Sequence, residues 1–238
     1  MKVLVTTSGT GSRLGALTKN TNKALVPIAG KPAISYILDL YSADIPLVIT
    51  VGYLAHQVRD FFTTHYTDRS ITFVDVDKYE GDGSSLAYSL LQAEPYLQEP
   101  FIFHACDTVV LNTAIPAPDK NWIAGHTIPG DVSQYRTIQA DMDNIITRIN
   151  DKKEGDSHNV LIGLFGINNY ESYWKYLRAL YAANPHDQTM NDTSPFNPML
   201  QDATPIRLVQ FPVWLDTGNP PALAKTEEYL QKNNSTIA

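Results

Sequence analysis

Leu4-Val5-Thr6-Thr7-Ser8-Gly9-Thr10-Gly11-Ser12-Arg13-Leu14 runs an apolar strand into a glycine turn that ends on an arginine, and Lys23 and Lys31 follow shortly after. Glycine has no Cβ, so the backbone turns sharply there and its N–H groups are free to point at phosphate oxygens. Arg13 and Lys23 then supply countercharge for a polyphosphate. The spacing is Gly-x-Gly-x-Arg. It is not that of the lysine-bearing phosphate loop of nucleotide hydrolases, and it lacks the third glycine of a dinucleotide fingerprint.

Outward from this turn, apolar runs of strand length fall at 3–6, 47–50, 71–76, 101–104, 122–126 and 160–166. Helical apolar spacing falls between them at 32–41, 54–65 and 84–93, with Pro32 at a position where a missing N–H costs little. The alternation predicts an α/β fold with a mostly parallel sheet covered on both faces. Residues 184–205, rich in Asn, Asp, Thr and Pro, predict a long excursion of the kind that serves as a lid or binding segment. Internal repeats and low-complexity tracts are absent, which excludes solenoid and disordered architectures.

At 238 residues and 43% hydrophobic content the chain is expected to form one domain with a sizeable core. A net charge of -7 argues against a sequence-blind nucleic-acid surface, so any phosphate site is a local basic pocket. No apolar run approaches the ~20 residues of a membrane span, and the first residues lack a signal-peptide pattern. No membrane partner is expected, and a cytoplasmic location is. The single Cys106 forms neither an internal disulfide nor a structural zinc site, and His104-Ala105-Cys106 reads as a strand end.

The segment Gly9-x-Gly11-x-Arg13-Leu14-x-x-Leu17-Thr18, continuing to Lys23-x-Leu25-x-Pro27-Ile28-x-Gly30-Lys31-Pro32, resembles the signature of the sugar-phosphate nucleotidyltransferases. Thr7-Ser8 stand where that family carries two alanines. Asn22 stands where it carries a proline, a change expected to loosen the loop that aims Lys23. Val51-Gly52-Tyr53 through Val58 is similar to the segment after the family's second strand, and no catalytic role is assigned to it. The resemblance implies a Rossmann-like, GT-A-like three-layer α/β sandwich with a mostly parallel mixed sheet. It spans nearly the whole chain as one domain, with a nucleotide part at about residues 1–110 and an acceptor part at about 111–230.

Three further segments extend the resemblance. Glu80-Gly81-Asp82-Gly83-Ser84-Ser85 is similar to the loop that touches the nucleotide base, although Ser84 equally suits a helix N-cap. His104-Ala105-Cys106-Asp107 ends an apolar strand on a carboxylate, at the edge where open α/β sheets bind ligands. Val213-Trp214-Leu215-Asp216-Thr217-Gly218 offers a second carboxylate. Two aspartates suit Mg2+, which usually takes one or two carboxylates plus phosphate oxygens and water. Finally, Arg148-Ile149-Asn150-Asp151-Lys152-Lys153 followed by Gly163-Leu164-Phe165-Gly166-Ile167 resembles the element that holds the acceptor's phosphate and its following strand, with Asp151 where the family has glutamate, Lys153 where it has proline, and Lys152 preferred to Lys153.

The implied assignment is therefore catalytic for Arg13, Lys23 and Asp107, and metal-binding for Asp107 and Asp216. The nucleotide falls to Thr7, Ser8, Gly9, Thr10, Gly11, Ser12, Glu80, Gly83 and Ser84, and the acceptor to Lys152 and Gly163. Tyr173, Trp174 and Tyr181 are further candidates to line the acceptor pocket. The partners implied are a nucleoside triphosphate, by expectation a pyrimidine one, and a sugar 1-phosphate or small phospho-alcohol. A homo-oligomer is compatible with this reading. The length resembles the compact members that make CDP-choline-like or UDP- and dTDP-sugar precursors for nucleotide-sugar and cell-surface polysaccharide synthesis. A GT-A glycosyltransferase would typically show an Asp-x-Asp pair, and Asp107-Thr108-Val109 lacks the second acid; a non-catalytic nucleotide sensor would not need Arg13, Lys23, Asp107 and Asp216 together.

Overall fold

The computed structural model describes residues 1–155 and 157–234. In chain order the elements are β1 (Lys2–Thr6), β2 (Pro27–Ile28), β3 (Lys31–Pro32), α1 (Ala33–Leu38), β4 (Leu47–Val51), α2 (Ala55–His65), β5 (Ile71–Asp75), α3 (Leu86–Ala93), β6 (Phe101–Ala105) and β7 (Thr108–Leu111). There follow β8 (Trp122–Thr127), β9 (Thr137–Ala140), β10 (Ile146–Asn150), β11 (Asn159–Ile167), α4 (Tyr170–Ala183), α5 (Phe196–Gln201), β12 (Arg207–Gln210), β13 (Val213–Asp216) and α6 (Pro220–Asn234). All six expected strands form, each end within one residue of its predicted place.

The main sheet has nine strands along the path β10-β9-β11-β6-β1-β4-β5, with β8 on β11 and β12 on β8. β1, β4, β5 and β6 are mutually parallel, and β10 and β11 are the strands that run against the rest. Side-chain alternation explains the layers. On β1, Leu4 joins a core with α3, α4 and α5, while Val3 and Val5 join another with α1 and α2. On β6, Phe101 and Phe103 face the first core and Ile102 the second. Strands buried on both faces and covered by helices on each give the three-layer sandwich.

Two expectations are corrected. Helix α1 ends at Leu38 instead of reaching Tyr41, because the chain tightens into three-residue turns, Leu40 N–H to Ile37 and Tyr41 N–H to Leu38. Tyr41 is buried nonetheless, its hydroxyl 2.7 Å from His104 Nδ1. The excursion at 184–205 is a packed segment, with Met190, Phe196 and Met199 buried and α5 within it. Among the described residues no helix is long and apolar enough to cross a membrane.

Register brings distant segments to one edge. Thr6 on β1 pairs with Ala105 on β6, so the glycine turn and Asp107 leave the sheet side by side. Asp216 on β13 pairs with Thr108 on β7, which lays the second carboxylate against the first.

Candidate active site

The glycine turn is held from below. Gly11 has φ +67°, and a Cβ there would lie 3.0 Å from Lys23 Cβ, so a side chain at this place would be strained and crowded. Thr7 donates its hydroxyl to the Thr50 carbonyl at 2.7 Å, and Ser8 shares a 3.0 Å hydrogen bond with Ser89. The two hydroxyls that replace alanines are thus tied into the floor. Asn22 does not loosen the loop, contrary to the expectation from the missing proline. It is fully buried, donates to the Thr7 and Tyr53 carbonyls at 3.0 and 2.8 Å, and caps the Ala24 N–H at 3.0 Å. Its own N–H donates to Gln57 Oε1 at 2.9 Å.

A cavity of about 480 Å³ lies over this turn, and Thr7, Ser8, Gly9, Thr10, Gly11, Ser12, Arg13 and Lys23 all line it. Ser84 lines it too, with its hydroxyl donating to the Gly81 carbonyl at 2.7 Å. The helix cap is Ser85, which accepts from the Tyr88 N–H at 3.0 Å. Glu80 and Gly83 do not line the cavity: Glu80 is exposed and Gly83 is buried in the turn, while Tyr79 lies at the wall. Ser89 and Gln188 also line it, and sequence reading missed both. Lys31 lies elsewhere, paired with Asp39 and over the Tyr36 ring.

Asp107 sits where charge converges. Lys23 Nζ is 2.5 Å and Arg13 Nη2 3.5 Å from its Oδ2. Burial pushes the Asp107 carboxyl up, but Lys23, the hydrogen bond from Lys23, and Arg13 together hold it below the usual carboxylate range. Lys23 is raised in turn: burial works against its charge, and Asp107 outweighs it. The two cations differ in exposure, 16% for the Lys23 side chain and 62% for Arg13. An exposed pair at that distance contributes little to stability, so Arg13 is free to engage a ligand, whereas Lys23 is locked into a buried pair. Cys106 is buried, and burial pushes its thiol up to about 11.

Asp216 faces the same point. Thr217 clamps the Asp107 carbonyl through its N–H at 3.0 Å and its hydroxyl at 3.2 Å, and the Gly218 N–H donates to Asp216 Oδ1 at 2.7 Å. A Cβ on Gly218 would stand 3.0 Å from both Asp107 Oδ2 and Asp216 Oδ1. The two carboxylates therefore flank one small open volume. Burial and the neighbouring Asp107 raise the Asp216 carboxyl, against the pull of the Gly218 N–H, Arg13 and Lys23. Two hard oxygen donors around that volume fit the donor set of a divalent cation that retains waters and phosphate oxygens. No cluster of three or more candidate ligands occurs among the described residues.

A second cavity, of about 1050 Å³, opens beyond Asp107. Lys152, Gly163 and Asp216 line it, as does Arg136, which the sequence reading missed. Burial and the nearby Arg13 and Arg136 lower the Lys152 ammonium. Lys153 lies in a left-handed turn at φ +65° and is outside the cavity lining that includes Lys152. Tyr173 and Trp174 are in the core, Trp174 stacked on Phe101 at 5.2 Å, because they occupy the buried face of α4; Tyr181 packs on Tyr88, and none of the three lines the cavity. An aromatic wall is supplied instead by Trp214, edge-on to Tyr135 at 5.4 Å and beside His126 at 6.0 Å.

Residues 3–117 match the MobA-like NTP transferase domain. The chain is 20% identical over 241 residues to the bifunctional protein GlmU of Methanococcus vannielii, covering 98% of this chain and 56% of that protein. It spans about half the length of the curated relatives it matches. Among solved structures, the CTP:phosphocholine cytidylyltransferase LicC of Streptococcus pneumoniae superposes with a TM-score of 0.80 at 20% identity, covering 96% of this chain and 98% of that one. A UDP-glucose pyrophosphorylase complexed with UDP-glucose superposes with a TM-score of 0.81 at 17% identity, covering 98% of each chain. At these identities the superpositions establish the Rossmann-like nucleotidyltransferase fold.

Proposed function

We propose, from the match of residues 3–117 to the MobA-like NTP transferase domain, that the chain transfers a nucleoside monophosphate from a pyrimidine nucleoside triphosphate to a phosphorylated small-molecule acceptor, releasing pyrophosphate. The observation that carries this reading is the meeting of two cavities at one charged point. Arg13 and Asp107 line both, the smaller cavity running back over the glycine turn and the larger towards Lys152 and Arg136.

An acceptor phosphate oxygen attacks the α-phosphorus; the new bond joins acceptor and nucleotide, and the bond to the β-phosphate oxygen breaks. The attacking phosphate is already an anion at neutral pH, so no protein base is required. The turn at residues 9–12 offers backbone N–H groups to the triphosphate. Arg13 answers charge that grows on the transferring group and on the leaving pyrophosphate, and Lys152 holds the acceptor phosphate. Asp107 and Asp216 would hold Mg2+, which when bound supplies further positive charge at the α-phosphoryl oxygens. Lys23 keeps Asp107 ionised and aimed. The Ser84 and Ser85 turn lies at the cavity wall where a base would be read, and a pyrimidine is the expected base.

A pyrophosphate-release screen of the four ribonucleoside triphosphates and dTTP against sugar 1-phosphates and phospho-alcohols tests this. Release that requires both a pyrimidine triphosphate and a phosphorylated acceptor is expected; release of a nucleoside diphosphate from an activated sugar would overturn it.

A further inference from the structure

The large cavity contains a carboxylate that the proposed phosphoryl chemistry does not use. Asp192 is 8% exposed, lines the cavity, and makes no side-chain hydrogen bond to another side chain among the described residues. The N–H groups of its own turn, those of Asp192 and Thr193, pull the carboxyl down against burial. Its backbone is fixed from several sides. Tyr173, itself fully buried, donates to the Asp192 carbonyl at 2.8 Å. Asn191 Oδ1 accepts from the Thr193 N–H at 2.9 Å and from its hydroxyl at 2.7 Å, and Ser194 Oγ accepts from the Asn191 N–H at 3.0 Å. A buried carboxylate normally has partners, since leaving lone pairs unmet out of water is costly. Here the packed excursion presents such a group rigidly to an open cavity.

Arg136 lines the same cavity as Asp192, and its charge pulls the Asp192 carboxyl down against burial. The Arg136 Nε is spent on Asp151 at 2.9 Å, and its two amino groups have no hydrogen-bond partner among the described residues. One cavity is thus lined by a carboxylate that no side chain donates to and by a guanidinium whose amino groups are unpartnered among the described residues. That pairing suits hydroxyl groups, which donate to the carboxylate and accept from the guanidinium. It does not suit a cationic headgroup, because Arg13, Arg136, Lys152 and Lys225 line the same cavity and outnumber Asp107, Asp192 and Asp216. Trp214 and Tyr135 complete an amphipathic wall of the kind a sugar ring can lie against.

We propose that Asp192, in the cavity that Arg136 also lines, is a specificity-determining residue that reads the ring hydroxyls of the acceptor, so that the acceptor is a sugar phosphate and not an amine-bearing phospho-alcohol. The proposal rests on the nucleotidyl-transfer reading above and names the acceptor class for that same site.

The test compares wild type with Asp192→Asn and Asp192→Ala, the first preserving shape, with folding checked by circular dichroism. Pyrophosphate release is measured with a panel of sugar 1-phosphates, their deoxy and deoxyfluoro analogues, and phosphocholine. Wild type is expected to use a sugar 1-phosphate and to reject one of its deoxy analogues by about 10- to 100-fold in kcat/KM, as for hydrogen bonds to a charged group. Both variants are expected to lose that discrimination, with KM for the intact sugar phosphate rising more than kcat falls. Preference for phosphocholine overturns the proposal while leaving nucleotidyl transfer standing. Discrimination kept in full by both variants overturns the role of Asp192. No pyrophosphate with any pair refutes the nucleotidyltransferase reading itself, and the proposal with it.

Discussion

Replacing Asn22 by proline, the residue that the resembled signature carries at that place, is expected to destabilise the protein although the backbone would accept it. Asn22 has φ -60° and ψ 139°, within proline's range. Rigidifying the unfolded chain would favour the substitution by at most about 1 kcal/mol. Against this stand four hydrogen bonds at 2.8 to 3.0 Å: the N–H to Gln57, the amide to Thr7 and Tyr53, and the cap on Ala24. At about 1 kcal/mol each, with buried acceptors left unmet, their loss exceeds the gain by about 3 kcal/mol. For a chain of this size that lowers Tm by roughly 6–12 °C. Thermal and urea unfolding of Asn22→Pro and Asn22→Ala measure it, the alanine variant isolating the side-chain bonds from the N–H. A proline variant melting at or above wild type would refute the argument that Asn22, not rigidity of the loop, positions Lys23.

Arg13→Ala is expected to leave unfolding within about 1 kcal/mol of wild type, since its ion pair is exposed, yet to cut kcat by on the order of 10²-fold with a smaller change in nucleotide Kd. Lys23→Ala is expected to cost about 3 kcal/mol because it strands the buried Asp107, and equal unfolding of the two variants would contradict that division. Gly218→Ala sets a methyl 3.0 Å from both carboxylate oxygens, so half-saturating magnesium should rise and turnover fall on the order of 10²-fold, and an unchanged magnesium titration would refute it. Burial lifts the Asp192 carboxyl from 3.8 to about 6, against the pull of Arg136 and with a push from Asp107. Stability from the protonated group is thus present below about pH 4 and is lost as pH rises through about 6. Asp192→Asn should therefore be more stable than wild type at pH 7.5 by up to about 3 kcal/mol, the gap closing towards pH 4; a gap independent of pH would contradict it.

What was legible in the sequence was local. Gly9 to Arg13, the strand into Asp107 and the alternation of strands and helices are written in neighbouring residues, and each took its expected place. Asn22 was misjudged because its partners Thr7, Tyr53 and Gln57 lie 15, 31 and 35 positions away, so a one-residue comparison sees only a lost proline. The same holds for Arg136 and Gln188, which reach the cavities through folding and carry no motif. Polar neighbours diluted Phe196 and Met199, so a packed segment read as a loop, and the carboxylate that Asp192 presents to the cavity was not readable. Tyr173 and Trp174 show the opposite error, aromatic residues near a cavity that belong to the core.

The most direct measurement is a 31P NMR time course of wild type and Asp107→Asn with a pyrimidine triphosphate, Mg2+ and the acceptor chosen by the release screen. Pyrophosphate is expected to accumulate in step with a coupled pair of diphosphate resonances from the joined acceptor and nucleotide, in wild type alone. A nucleoside diphosphate in place of pyrophosphate, no turnover of any triphosphate, or the same time course from Asp107→Asn would contradict it.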